Sequence, residues 1–104
     1  MTARSKAINP RKMAAQAALA ADYLKALAND QRLAILCTLL DGPKSVGQIN
    51  ARVELSQSAL SQHLAVLRAR NLVATEKQAQ TVYYSVTDDR TYKLLQLLHD
   101  CFCN

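Results

Sequence analysis

The 104-residue chain predicts a single, mainly α-helical domain with one small β-hairpin, and three observations predict it. Half of the residues are hydrophobic but only five are aromatic, and the apolar content is mostly Ala and Leu, which favours helix over sheet. Apolar residues recur at helical spacing along most of the chain. Strand-prone sequence is confined to residues 72–86, around a short polar linker. The length bounds one domain with a small core, one that a partner subunit would help to stabilise.

Residues 1–9 predict a basic disordered tail closed by Pro10, and residues 10–104 the folded domain. A first helix is expected from Pro10 to Leu27, with Pro tolerated in the first turn and Ala14, Ala17, Ala18 and Ala21 forming a small-residue stripe that lets another helix approach. A second follows Asn29 or Asp30, carries Leu33, Leu36, Cys37 and Leu40 on one face, and stops at Asp41-Gly42-Pro43. Ser45 and Gln48 have the spacing of a capping box, so a short third helix is expected over Ser45 to Val53. Only Glu54 and Leu55 then precede Ser56, which stands as N-cap to a fourth helix whose Leu60, Leu64 and Leu67 stack on one face. Two helices joined so tightly make a helix-turn-helix. The runs Leu72 to Lys77 and Thr81 to Val86, around Gln78-Ala79-Gln80, predict a hairpin placed as a wing. A last helix, Asp88 to Cys101, spreads Tyr92, Leu94, Leu95, Leu97, Leu98 and Phe102 over more surface than one small domain covers, which predicts a partner subunit.

The fourth helix carries the functional signal. Its polar edge holds Gln57, Ser58, Ser61 and Gln62, uncharged donors and acceptors short enough to let a backbone approach base edges, with Arg68 and Arg70 near its end to meet phosphates. An ordinary solvated face is usually filled with Glu and Lys, yet from Leu55 to Leu67 no residue is charged. Lys77 and Gln80 would give the wing its contact to the flanking groove. Thirteen Lys and Arg against eight Asp and Glu give a net charge of +5, and Arg4, Lys6, Arg11 and Lys12 form an acid-free basic end. A double-stranded DNA partner fits this distribution. No signal peptide or membrane-length apolar run is readable, so a cytoplasmic protein without membrane contact is expected. His63 reads as a structural hydrogen-bonding residue, Tyr83 and Tyr84 as sheet and core residues, and Arg32 as facing either solvent or a phosphate. A thiol enzyme is disfavoured because no Cys-x-x-Cys is present, and a purely structural dimerisation module is disfavoured by the uncharged polar face.

The stretches Leu24 to Asn29 with Arg32 to Leu36, then Leu55 to Leu67, then Gln80 to Tyr84, together resemble the winged-helix ArsR/SmtB family of bacterial regulators over about residues 20 to 103. The resemblance implies a winged helix-turn-helix homodimer with its first and last helices at the interface, where Leu94, Leu97, Leu98, Ala17 and Ala21 would lie. It also implies binding to an imperfect inverted repeat in DNA. The Cys-x-Cys of the arsenic and cadmium sensors is replaced here by Ile49-Asn50-Ala51, and Asp88 and His99 lack the companions of the zinc sensors' set. Cys37 and Cys103 instead look like the cysteine pair of the thiol-sensing branch that contains HlyU, BigR and SqrR. That branch implies an oxidant or reactive sulfur species as inducer, with no cofactor and no metal.

Three cysteines in a cytosolic domain read as buried fillers, metal ligands or a redox pair. Cys37 lies on the expected apolar stripe of the second helix. Cys101 lines up with Leu94, Leu97 and Leu98, whereas Cys103 lines up with Gln96, His99 and Asp100, because two residues turn a helix by about 200°. Periodicity therefore favours Cys101 as the inward thiol, and the resemblance favours Cys103. Cys103 is preferred because a residue beside the chain end leaves helical geometry at little cost. Zinc held by Cys37, His99, Cys101 and Cys103, as in a zinc-type repressor, is the rival chemistry, although this spacing matches no closed zinc motif.

Overall fold

Asn9 starts the regular structure: its side chain accepts from the Arg11 and Lys12 backbone N–H groups and opens α1, Pro10–Ala15, with Pro10 in the first turn where no N–H is missed. The structure is a computed structural model and describes residues 7–103. Most of the expected basic tail, including Arg4 and Lys6, therefore lies outside the described residues. The single helix expected from Pro10 to Leu27 is two. Gln16, at φ −102° and ψ 5°, separates α1 from α2, Ala17–Leu27. The Gln16 N–H is shared between the Lys12 and Met13 carbonyls, which tightens the last turn, and α1 buries no residue whose packing would hold both segments on one axis.

Asn29 caps α3, Asp30–Thr38, and Arg32 reaches back from its first turn. The Arg32 Nε donates to the Ala26 carbonyl at 2.7 Å, so this side chain closes the C-terminus of α2 and faces neither free solvent nor a phosphate. Ile35, Leu36 and Leu39 are buried on α3, with Leu33 and Leu40 packed at the margin. Gly42, at φ 133°, supplies the left-handed stop that only glycine adopts without strain.

Next comes a strand that the sequence pattern did not reveal. β1, Lys44–Ser45, pairs antiparallel with the later β3, Thr81–Ser85, which also pairs with β2, Ala74–Gln78, giving a three-stranded sheet of order β1-β3-β2 instead of a lone hairpin. Ser45 and Gln48 form the expected capping box, but α4 spans only Val46–Asn50, and residues 51–53 form a turn. Asn50 donates to the Leu55 carbonyl at 2.9 Å and so ties that turn together. Ser56 caps α5, Gln57–Ala69, by accepting from the Ala59 N–H, and Leu60, Leu64 and Leu67 are buried as their spacing predicts. Asn71 closes α5 in the left-handed region, φ 61°, with the Leu72 N–H on the Leu67 carbonyl at 2.9 Å. Leu72 and Val73, expected to begin a strand, fill the core directly after this cap. β2, Ala74–Gln78, and β3, Thr81–Ser85, pair from Ala74↔Ser85 to Gln78↔Thr81, and Ala79 takes φ 56° in the two-residue turn.

Asp88 caps α6, Asp89–Phe102. Its start is clamped to α2. The fully buried Thr91 hydroxyl donates to the Asp88 carboxylate at 2.8 Å and lies 2.8 Å from the Tyr23 hydroxyl. A threonine has one proton to give, so Tyr23 donates to Thr91. The Arg90 guanidinium stacks over the Tyr23 ring at 4.2 Å and completes the clamp. Thr91's hydrogen bond holds the Asp88 carboxyl below the usual carboxylate range. The core thus joins Ala26 and Leu27 of α2, α3, Ile49 of α4, the leucines of α5, the Leu72–Val73 link and Leu95 of α6.

Candidate nucleic-acid interface and thiol pair

With Leu60, Leu64 and Leu67 facing the core, the 100° step between helical residues sorts the rest of α5 into three lanes. Ser58, Gln62, Ala65 and Ala69 point straight outward, and all four are exposed. Gln57, Ser61 and Arg68 lie on the flank toward the sheet, where Ser61 and Arg68 border a crevice with Tyr84 of β3. His63, Val66 and Arg70 lie on the opposite flank, toward α2 and α3. The expected polar edge is exposed but divided between the outward and sheet-side lanes, and Ala65 and Ala69, which the sequence reading passed over, share the outward lane.

The body-side flank holds the helix in place. His63 Nε2 donates to Gln31 Oε1 of α3 at 2.9 Å, the structural hydrogen bond expected of it. Arg70, expected to meet phosphates, lies 2.8 Å from the Asp22 carboxylate and donates to the Asp22 carbonyl at 2.6 Å. Its charge is spent within the chain, and the residue struts α5 against α2. Neither Gln31 nor Asp22 was singled out from sequence, since each meets its partner from a distant element and leaves no local spacing signal. The Arg68 side chain, by contrast, is exposed and has no ion-pair or hydrogen-bond partner among the described residues. Lys77 on β2 and Gln80 in the turn are exposed on the wing. Tyr83 and Tyr84 are half-buried in β3, and Tyr84 packs on the core margin.

The residues expected at a subunit interface lie on two separate surfaces. Leu97 is 57% exposed and Phe102 81%, while Leu94 and Leu98 are half-buried on α6. On α2, Ala17 and Ala21 line an apolar groove of about 460 Å³ with Met13 and Leu24.

All three cysteines are free and exposed. Cys37 is thus off the buried stripe of α3 on which periodicity put it: Ile35, Leu36 and Leu39 turn inward, and the Cys37 side points out. Partial burial, and then the charge of Cys103, push its thiol above the ordinary cysteine value. Cys37 and Cys103 lie 66 positions apart in sequence, yet the charge of one acts on the thiol of the other. Cys103 is the C-cap of α6 at φ −108° and ψ 9°, already out of helical geometry, with its N–H on the His99 carbonyl at 2.8 Å. His99 pairs with the neighbouring Asp100 at 3.6 Å. Among the described residues, no three His, Cys, Asp or Glu side chains converge where a metal ion could be held, so the set Cys37, His99, Cys101 and Cys103 does not close on one point. No helix among the described residues is long and apolar enough to cross a membrane.

Comparison with known proteins agrees with this architecture. Residues 29–75 match the bacterial regulatory protein, arsR family, a stretch that runs from the cap of α3 through the whole of α5. The transcriptional activator HlyU of Vibrio cholerae serotype O1 is 50% identical over 96 residues, spanning 92% of this chain and 89% of that protein. The solved structure of reduced HlyU from Vibrio cholerae N16961 superposes with a TM-score of 0.83 at 50% identity, covering 90% of this chain and 99% of that one. The transcriptional repressor BigR from Xylella fastidiosa superposes with a TM-score of 0.86 at 32% identity, over 93% of this chain and 99% of that one. A helix-turn-helix with an uncharged reading face, a wing on the same sheet, and relatives of this likeness over nearly their whole length have one account: the chain belongs to the ArsR family of bacterial winged-helix transcriptional regulators, which bind DNA.

Proposed function

We propose that this regulator works as a cytoplasmic homodimer on an imperfect inverted repeat, and that oxidation or persulfidation of Cys37 and Cys103 switches its grip on DNA. Ser58 and Gln62 read base edges from the outward lane with Gln57 and Ser61 beside them, Arg68 meets a phosphate, and Lys77 and Gln80 reach the flanking groove. Leu94, Leu97 and Leu98 of α6 with Ala17 and Ala21 of α2 form the subunit contact. Arg70 is reassigned from phosphate contact to internal strut, because Asp22 occupies it.

What supports the switch is that Cys37 on α3 and Cys103 at the end of α6 are both free and exposed, and that the charge of Cys103 acts on the Cys37 thiol. With peroxide as oxidant, the two thiols give up two protons and two electrons as their disulfide forms, and peroxide leaves as two waters. With a persulfide donor, one thiolate takes the terminal sulfur and the donor departs as its own thiolate. A bond between α3 and α6 changes how the dimer helix sits on the body that carries α5. Two recognition helices must stand about 34 Å apart, one DNA turn, to bind together, so a small change in that angle releases them.

Anisotropy titration of a selected operator duplex with reduced, oxidised and persulfide-treated protein tests the reading. Cys37→Ser and Cys103→Ser are expected to bind DNA and ignore both treatments, while Cys101→Ser responds as the parent does. A silent Cys101→Ser beside a responsive Cys103→Ser would transfer the role to Cys101.

A further inference from the structure

We infer that Tyr84 completes a phosphate seat with Ser61 and Arg68, in which one phosphodiester of duplex DNA is held between the recognition helix and the wing. The inference rests on the proposed docking of α5 in the major groove and adds a contact not legible beforehand, since Tyr84 reads in the sequence as a sheet and core residue.

Three observations carry it. First, Ser61, Arg68 and Tyr84 line one crevice of about 460 Å³ between α5 and β3, and no carboxylate lines it. Second, all three side chains are without a hydrogen-bond partner among the described residues, although the crevice brings them together. This is unusual for the chain. Each of the other arginines from α3 to α6 is engaged: Arg32 on the Ala26 carbonyl, Arg52 with Asp41, Arg70 with Asp22 and Arg90 with Asp88. Lys44, the cross-strand neighbour of Tyr84, is likewise engaged, by Asp41 and the Gly42 carbonyl. Third, the Tyr84 ring packs against the core, so the apolar body of the side chain is anchored while the residue stays half-exposed toward the crevice.

The chemistry matches one ligand class. A phosphodiester is singly charged and only accepts hydrogen bonds; one guanidinium and two hydroxyl donors supply one balancing charge and several N–H and O–H groups. The site also has the right place. Ser61 and Arg68 sit on the sheet-side flank of α5, one lane off the outward-facing Ser58 and Gln62, where a groove-edge backbone runs when those two residues face bases. Ser61 then serves position more than sequence. The wing is tied to the same phosphate through Tyr84, so recognition helix and wing close on the duplex together.

The test is Tyr84→Phe in the full chain, titrated by fluorescence anisotropy with a duplex enriched from a random-sequence library and with a mixed-sequence duplex. Loss of one hydrogen bond to a charged group is expected to weaken both by about tenfold, without changing their ratio. Arg68→Gln should weaken both as well and flatten the salt dependence by about one unit of slope. A scan with single neutral methylphosphonate substitutions should find one position at which wild type and Tyr84→Phe bind equally, and the same position should mask Arg68→Gln. The seat is overturned if Tyr84→Phe binds like wild type, or if its deficit survives on every methylphosphonate duplex. Should Tyr84→Phe fold poorly, as its urea midpoint would show, Ser61→Ala and Arg68→Gln must still be masked at one shared phosphate for the seat to stand. A Ser58→Ala/Gln62→Ala variant keeps the two failures apart. If it retains full preference for the enriched duplex, the docking reading is lost; if it loses that preference while Tyr84→Phe is silent, only the seat is lost.

Discussion

Replacing Thr91 by Val probes the clamp that holds α6 to α2. The substitution keeps the branched shape of a fully buried side chain and removes only the hydroxyl, which sits between Tyr23 and Asp88 at 2.8 Å from each. Two hydrogen bonds are lost. At about 1 kcal/mol each, the expected cost is about 2 kcal/mol, which for a urea slope of about 2 kcal/mol per molar lowers the unfolding midpoint by about 1 M. The cost also has a pH signature. Thr91 heads the groups that lower the Asp88 pKa, and a carboxyl lowered on folding stabilises above its unfolded pKa, about 3.9, and loses that contribution as pH falls through the folded value. The gap between wild type and variant should therefore be full at pH 7 and narrow below about pH 4, leaving the Tyr23 share. Urea unfolding followed by circular dichroism at several pH values measures it. A gap that stays constant into acid, or no gap at all, refutes the claim that Asp88 is held through Thr91.

Other outcomes follow from the same structure. Leu97→Glu is expected to give monomers in sedimentation, because it sets a charge in the exposed apolar surface of α6. Arg70→Ala should cost about 1 kcal/mol of stability and leave the salt slope of DNA binding unchanged, whereas Arg68→Ala should flatten that slope and leave stability unchanged; both are read by denaturation and by titration at several salt concentrations. A Cys37–Cys103 disulfide closes a loop of about 67 residues, so the oxidised protein should resist urea by up to about 4 kcal/mol more than the reduced one, with reductant abolishing the difference. Because the Cys37 thiol is raised, its alkylation should accelerate about tenfold per pH unit from neutral pH upward with no plateau below its raised value, and in Cys103→Ser the profile should shift to lower pH as the repelling charge is removed.

What could be read from the chain beforehand was local. The Ser56 cap, the leucine stripe of α5, the Ser45–Gln48 box and the Gly42 stop each depend on residues within one or two turns, and all stand where their spacing put them. β1 was illegible because a two-residue strand shows no alternation and exists only through its pairing with Tyr83 and Tyr84. Arg70 looked like a phosphate ligand because Asp22, which neutralises it, comes from another helix. Cys37 looked buried because it shares a helical stripe with Leu33, Leu36 and Leu40; the core instead takes Ile35, Leu36 and Leu39, with Leu33 and Leu40 at its margin, and that rotation leaves Cys37 outside. The break at Gln16 was hidden by an alanine run that reads as continuous helix when nothing packs on it.

The three-lane division of α5 separates duties that many binding sites combine. The residues that fasten the helix, Leu60, Leu64, Leu67, His63 and Arg70, are distinct from the outward four, Ser58, Gln62, Ala65 and Ala69, which are exposed and of which only Ser58 has a side-chain hydrogen bond, at 3.4 Å to the Ser56 hydroxyl. Those four positions behave as a replaceable faceplate. On the proposed function, a lineage can exchange one operator for another through them by small steps, each tolerated by the folded protein. A library randomised at these positions alone should consist mostly of folded proteins with divergent sequence preferences.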